Sequence, residues 1–264
     1  MAVYTTEKIL EIQQWSAKLF SFRTTRARGL RFENGQFVML GLQTGDRKIV
    51  RAYSIASSNY EDHLEFYSIK VPDGALTSRL QHVVPGSDIL ISSKPTGTLV
   101  LRDLRPGKRL FLLATGTGIA PFLSIVKDPM TYESFEQVVV AHGVRIRADL
   151  AYANSVIASL QDDADLGALV RPKLLRYACV SRESSGQSGR VTTALATGNL
   201  CSELDIPPLN AHTDRLMLCG NIDMLAETRG LLDSAGFEIS PQIGVCGDYV
   251  IERAFTESLQ RKAA

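Results

Sequence analysis

At 264 residues the chain exceeds the usual single-domain size, and roughly 150 residues per domain points to two domains. Apolar residues make up 45% and charged residues 22%, enough apolar material for a packed core, and the net charge of +1 calls for no nucleic-acid or anionic-membrane partner. No apolar run approaches the ~18 residues that span a bilayer, and the opening stretch lacks a basic segment followed by an apolar core. The four cysteines (Cys179, Cys201, Cys219, Cys246) and four histidines (His63, His82, His142, His212) are dispersed. That spacing argues against a metal site, an iron–sulfur cluster or a disulfide framework, and fits the reducing cytoplasm.

In chain order, short β-rich runs come first: Thr5–Ile12, Leu19–Thr24, Gln36–Leu42, Arg51–Ile55, His63–Val71 and Asp88–Ser93. Turn material such as Glu33-Asn34-Gly35, Thr44-Gly45-Asp46 and Pro85-Gly86 separates them, and one amphipathic helix is expected at Ala75–Val83. Closely spaced strands with turns between them predict an antiparallel sheet closed into a barrel. The charged stretch Arg102–Lys108, with its Pro106-Gly107 break, reads as a linker, dividing the chain into residues 1–103 and 104–264.

Beyond the linker the pattern alternates. Apolar runs at Leu110–Ala114, Val138–His142, Leu174–Val180, Leu216–Cys219 and Tyr249–Ile251 interleave with helical stretches at Pro121–Ile125, Ala148–Leu160, Val191–Ala196 and Met224–Ser234. Strands alternating with helices predict right-handed crossovers and a parallel, Rossmann-like sheet.

Three local patterns suggest ligands. Leu110–Ala114 runs into Thr115-Gly116-Thr117-Gly118-Ile119-Ala120-Pro121, a glycine turn entering a helix that carries proline in its first turn, where free N–H groups attract phosphate. The third glycine of the common dinucleotide fingerprint is absent, and a plain tight turn fits G-x-G as well. In the barrel half, Arg51-Ala52-Tyr53-Ser54 offers a cation, an aromatic face and a hydroxyl on one strand. That combination suits a flavin's pyrophosphate, ring and N5 edge. Downstream, Phe66-Tyr67-Ser68-Ile69-Lys70-Val71-Pro72-Asp73-Gly74 leads into Ala75-Leu76-Thr77-Ser78, a turn and a hydroxyl-bearing helix start, suited to a second anion.

After Leu174–Val180 comes Ser181-Arg182-Glu183, and Gly189-Arg190 closes the same polar loop. Two guanidinium groups with nearby hydroxyls suit a 2′-phosphate, although the residues alone read as readily as solvated surface.

Taken together, R-A-Y-S, F-Y-S-I-K-V-P-D-G-A-L-T-S-R-L, A-T-G-T-G-I-A-P-F, L-C-G and Y-V-I-E-R-A-F occur in the order found in bacterial ferredoxin/flavodoxin–NADP reductases, which the chain closely resembles. The likeness implies a Greek-key FAD barrel followed by an NADP(H)-binding domain, with the flavin in the cleft between them. It implies hydride transfer between nicotinamide C4 and flavin N5, then single-electron transfers to ferredoxin or flavodoxin, by a monomer.

Residue by residue, the resemblance places Tyr53 on the isoalloxazine, Ser54 at N5, and Arg51 at the pyrophosphate with Gly74, Leu76, Thr77 and Ser78. Ala52 lies on the same flavin-binding strand. Tyr67, Ser68 and Ile69 would line the ribityl and adenine side, and Thr117 would approach flavin or nicotinamide. Val144, Arg145, Ser181, Arg182 and Arg190 would hold NADP(H). Cys219 would sit near nicotinamide C4, with Asn221 where serine is more usual, and Glu252 is implied as a proton relay. Where plant-type members end on an aromatic, this chain has Ala254 and continues from Phe255, which suggests a tail covering the flavin. A reductase component of an oxygenase, an electron-transfer subunit of a larger dehydrogenase and a free flavin reductase are the alternatives. The first two are disfavoured by the missing cysteine cluster.

Overall fold

The computed structural model describes residues 3–183 and 188–253, so Ala254 and Phe255 lie outside the described residues. The first half contains β1 (Tyr4–Gln14), β2 (Leu19–Thr25), β3 (Phe37–Thr44), β4 (Arg47–Ser54), β5 (His63–Ile69) and β6 (Asp88–Ser92). They form one antiparallel sheet in the order β4-β3-β6-β1-β2-β5, and a bridge between Ile55 and Phe66 brings its two edges together. Inside lie Ile9, Phe20, Phe22, Val38, Leu40, Phe66, Ile89 and Ile91, the inward faces of five of the strands.

Thr44 pairs with Arg47, so Gly45-Asp46 is a two-residue hairpin turn, and Gly45 takes the positive φ of 55° that such turns demand. β4 therefore begins four residues earlier than the apolar pattern suggests. Its charged start, Arg47-Lys48, gains ladder bonds from β3 rather than burial.

The second half is an all-parallel sheet of β7 (Arg109–Thr115), β8 (Gln137–Val144), β9 (Leu174–Val180), β10 (Asp214–Gly220) and β11 (Tyr249–Arg253), in the order β11-β10-β7-β8-β9. Helices cover both faces. α2 (Ala120–Val126), α3 (Pro129–Ser134), α4 (Ala151–Gln161) and α5 (Gly167–Val170) lie on one, and α6 (Val191–Ala196), α7 (Asn199–Glu203) and α8 (Ile222–Ser234) on the other. Along β7, Leu110, Leu112 and Ala114 join the first core and Phe111 and Leu113 the second, the period-two division of a strand buried on both sides. The order reverses between β7 and β10. Sheets of this kind bind ligands at that reversal, outside the carboxyl ends of the strands.

Three short helices, α3, α5 and α7, fall outside the sequence expectations. α3 had a legible start, since the Asp128 carboxylate accepts the Met130 N–H at 3.0 Å and Pro129 occupies the first turn. In the barrel half, the expected helix at Ala75–Val83 contracts to α1 (Thr77–Leu80), because Gly74, Pro85 and Gly86 confine it between turns.

The two halves share a core. Leu19, Ala56, Tyr67 and Leu99 of the barrel pack in one cluster with the helices on the first face of the parallel sheet. Polar ties reinforce this seam. The Ser124 hydroxyl, fully buried on α2, donates to the Ser57 carbonyl at 2.7 Å, and Asn34 Nδ2 donates to Asp128 at 2.8 Å. Lys127 at the end of α2 lies 3.1 Å from Glu61. Burial would raise the Glu61 pKa, but His63, Lys127 and the Ser58 N–H together hold it down at about 2. Glu61, His63 and Glu65 bring possible ligand atoms within 4.8 Å of one another, yet Lys127 and Arg23 already supply the local positive charge.

Candidate active site at the seam

At the reversal point the seam opens into a cleft of about 280 Å³. Its barrel wall is Phe37, Ala52, Tyr53, Ser54, Tyr67, Ser68, Ile69 and Thr77, and its sheet wall is Thr117, Gly118, Ala120 and Glu252. Nine of the sequence-expected site residues therefore meet around one space: Ala52, Tyr53, Ser54, Tyr67, Ser68, Ile69, Thr77, Thr117 and Glu252.

The Tyr53 ring stands edge-on to Phe66 at 6.3 Å, and its hydroxyl lies 3.0 Å from the Ser68 hydroxyl. Burial pushes its pKa up to about 12, so it is a neutral phenol. Tyr67 stacks on Tyr152 of α4 at 4.3 Å, and its buried Oη has no hydrogen-bond partner among the described residues. Flat apolar rings, hydroxyl edges and one unsatisfied buried phenol form a lining that fits an isoalloxazine.

Of the residues expected at the pyrophosphate, Thr77 lines the cleft, whereas Arg51, Gly74, Leu76 and Ser78 are not among its lining residues. Arg51 is half-buried and donates to the Val50 carbonyl at 2.8 Å. The Gly74 N–H closes a turn onto Val71 O, the Ser78 N–H donates to Gly74 O, and the Thr77 hydroxyl donates to Val71 O at 3.2 Å. Leu76 belongs to the barrel core.

On the sheet wall, β7 runs through a 3-10 turn at Gly116–Ile119 into α2. A Cβ on Gly118 would lie 2.4 Å from the Cys219 carbonyl oxygen, and one on Gly220 would lie 2.3 Å from Thr115 Oγ1. Gly118 and Gly220 therefore let the carboxyl ends of β7 and β10 touch. G-x-G alone fits a phosphate approach or a plain tight turn, whereas at Gly118 contact with the neighbouring strand is a sufficient cause. Beneath the turn, His142 Nε2 lies 2.9 Å from the Gly116 carbonyl. Burial lowers the His142 pKa to about 4, so the ring is neutral and Nε2–H is the donor.

Cys219 is fully buried one strand in from the cleft, directly opposite Glu252 in the β10–β11 register. Burial, then the nearby Glu252 charge, raises its thiol pKa well above the usual value. Glu252 accepts the Thr98 N–H at 3.0 Å, and burial outweighs that bond to push its pKa up to about 7. Asn221 caps α8 by accepting the Met224 N–H at 2.9 Å, and its backbone N–H donates to Thr115 Oγ1 at 3.1 Å. The residue thus ties β10, α8 and β7 together.

At the carboxyl ends of β8 and β9, Arg145, Arg182 and Arg190 are exposed. Val144 is buried beneath them, and the Ser181 hydroxyl donates to its carbonyl at 3.2 Å. The Arg182 N–H donates to the Arg145 carbonyl at 3.0 Å, locking the two loops together. Sequence reasoning did not single out Arg147, which is exposed on the same edge. It also missed Gly97 and Thr98, which meet Glu252 only through tertiary folding.

A closed antiparallel barrel, a parallel sheet and an aromatic-lined cleft at the strand reversal define a two-domain oxidoreductase of the flavin- and nicotinamide-binding class. The chain matches the oxidoreductase FAD-binding domain family over residues 7–100 and the oxidoreductase NAD-binding domain family over residues 112–230. The ferredoxin–NADP reductase of Pseudomonas aeruginosa is 54% identical over 96% of this chain and 98% of its own length. The flavodoxin/ferredoxin–NADP reductase of Rhodobacter capsulatus is 46% identical over 94% and 92%. Among solved structures, a Neisseria gonorrhoeae ferredoxin NADP+ reductase with bound FAD and NADP superposes with a TM-score of 0.86 at 29% identity, covering 97% of this chain and all of that one. The chain belongs to the ferredoxin–NADP reductase family.

Proposed function

We propose that the chain exchanges electrons between NADP(H) and ferredoxin or flavodoxin through an FAD seated between Tyr53 and Thr117. The observation that carries this reading is the cleft at the strand reversal, where an aromatic barrel wall faces a half-buried carboxyl on the sheet wall. Bound there, FAD supplies two-electron exchange with nicotinamide and one-electron exchange with the carrier protein.

The chain's own residues hold and orient the two rings. Tyr53 offers its face to the isoalloxazine, while Ser54 offers a hydroxyl to the N5 edge, on a strand that also carries Ala52. Arg51, with the turn at Gly74 and the Leu76-Thr77-Ser78 start of α1, serves the pyrophosphate. Tyr67, Ser68 and Ile69 line the ribityl and adenine side, and Thr117 faces the ring across the cleft. Val144 and Arg145 would line the groove for NADP(H), with Ser181, Arg182 and Arg190 at its 2′-phosphate. Cys219, uncharged and buried, would lie near nicotinamide C4 and help position the ring. Glu252 holds a proton at its carboxyl near neutral pH, within the cleft. Stacking the rings at reacting distance is the main contribution, so positioning outweighs acid–base work.

The same reading divides the chain at residues 103 and 104 and makes it a cytoplasmic monomer. It uses the tail from Ala254 and Phe255 onward to cover the FAD. Among the described residues no helix is long and apolar enough to cross a membrane. The test is a visible spectrum of the purified protein, followed by steady-state assays with NADPH and NADH and a carrier protein. A yellow protein with one FAD per chain that prefers NADPH is expected. A colourless protein that takes up no FAD on reconstitution would overturn the reading. Deleting residues 255–264 should speed FAD loss, and an unchanged dissociation rate would exclude the tail as a cover.

A further inference from the structure

We propose that Glu227 is a resident counter-ion of Arg190 that the 2′-phosphate of NADP(H) has to displace, so that one carboxylate limits how tightly the phosphate is held. The inference rests on the assignment of Arg190 to that phosphate made above.

Arg190 immediately precedes α6, and Glu227 lies midway along α8. The two helices pack side by side on one face of the parallel sheet, through Val191, Leu195, Met224 and Leu225. Across that contact Arg190 Nη1 lies 3.8 Å from Glu227 Oε1, with both side chains well exposed. On its own helix Glu227 has no cation at helical spacing. Four residues before it stands Asp223 and four after it Leu231, so the face it shares carries two carboxylates. By contrast, Arg229 and Asp233 on α8 neutralise each other at 3.4 Å. Among the described residues, Arg190 is the cation paired with Glu227.

A phosphate dianion arriving at Arg190 meets two penalties. It competes with Glu227 for the guanidinium charge, and it then sits close to a displaced carboxylate of like charge. Water and salt screen both effects at so exposed a pair, so the penalty is modest rather than prohibitive. A nucleotide without the 2′-phosphate does not meet it. Glu227 therefore weakens the phosphate-bearing cofactor selectively, which favours its departure after turnover.

The test is isothermal titration of 2′,5′-ADP, with 5′-AMP as the phosphate-free control, into the FAD-loaded enzyme at low and high salt. Glu227→Gln is expected to tighten 2′,5′-ADP about three- to tenfold at low salt. The gain should shrink at high salt, with 5′-AMP unchanged. Glu136→Gln makes the same charge change just before β8, at the opposite end of the sheet, and is expected to leave binding alone. In an Arg190→Ala background, Glu227→Gln should bring a smaller gain, because only the like-charge repulsion is then left to relieve. Unchanged or weaker binding in Glu227→Gln overturns the proposal, as does an equal gain in Glu136→Gln or a gain that is undiminished without Arg190. If Arg190→Ala alone leaves 2′,5′-ADP binding intact, it is the assignment of Arg190 that fails.

Discussion

Cys219 and Glu252 are register partners where β10 and β11 run parallel, a neutral thiol beside a carboxyl whose pKa is raised to about 7. Between the ordinary value of 4.5 and about 7, the folded chain binds the Glu252 proton more tightly than the unfolded chain does. Stability therefore falls as pH rises through that window, by on the order of 2–3 kcal/mol, and stays down above it. Glu252→Gln, whose amide oxygen can still accept the Thr98 N–H, should lose that drop along with any inflection near pH 7 in kcat. Urea midpoints at pH 5 and pH 8 for both proteins decide the matter. An equal drop in the variant would mean that the titrating group lies elsewhere.

The thiols should divide sharply. Cys179, Cys201 and Cys219 are buried, and burial pushes the Cys179 pKa up to about 11, whereas Cys246 is exposed. A thiol reagent on the native protein should modify one site quickly, and Cys246→Ser should abolish that phase. The remaining thiols should react only on unfolding. Fast labelling that survives Cys246→Ser would show that one of the inner cysteines is accessible.

Gly118→Ala should be costly, because its Cβ would meet the Cys219 backbone carbonyl at 2.4 Å and backbone has little room to yield. The expected loss is about 1–3 kcal/mol of stability, accompanied by faster FAD release as the sheet wall shifts. Gly29→Ala is the control, since nothing lies within 4 Å of a Cβ there. Chemical denaturation and the rise of free-flavin fluorescence report both effects.

Arg182→Ala and Arg190→Ala should separate the two nicotinamide cofactors. Each charge-assisted bond to a phosphate is worth roughly 1.5–3 kcal/mol, so each variant should lose about 10- to 150-fold in kcat/KM for NADPH. NADH has no 2′-phosphate and should hardly respond. Losses of equal size for both cofactors would indicate a disturbed loop rather than a lost contact, and the double variant need not be additive.

Arg109 and Asp214 provide a stability test remote from the chemistry. They meet at the amino ends of β7 and β10, with Nε 2.7 Å from Oδ1, and Asp214 is wholly buried. The guanidinium also donates to the Pro207 and Pro208 carbonyls. Asp214→Ala would strand a largely buried cation at a cost of about 3–5 kcal/mol. The KM for NADPH should not move. A shift in KM without a loss of stability would contradict this division between scaffold and site.

The strands were legible because their patterns are dictated by burial. The run Leu110–Ala114 is apolar throughout since both faces of β7 are covered, and each of the eleven expected strands has a counterpart in the fold. α5 and α7, by contrast, have too few turns to show a period, and β4 hides a charged start that ladder bonds sustain. The barrel wall was readable from R-A-Y-S and its downstream partner because those residues are close in sequence. The environment of Glu252 was not, because Thr98 stands 154 positions away and only folding brings its N–H to the carboxyl. Nor could Gly118 be explained from G-x-G alone, since its constraint belongs to the neighbouring strand.

The shared core at the seam also governs how the chain moves. Ser124 is anchored to Ser57 without solvent access, and barrel side chains are embedded among those under α2 and α4. Prising the halves apart would expose the barrel side chains of that cluster to water, a cost that opposes hinge motion between them. The shared core thus ties the spacing between Tyr53 and Thr117, on opposite walls of the cleft, to the folding of the chain as a whole. On this packing a nicotinamide ring would find its place by its own movement more than by a parting of the two walls.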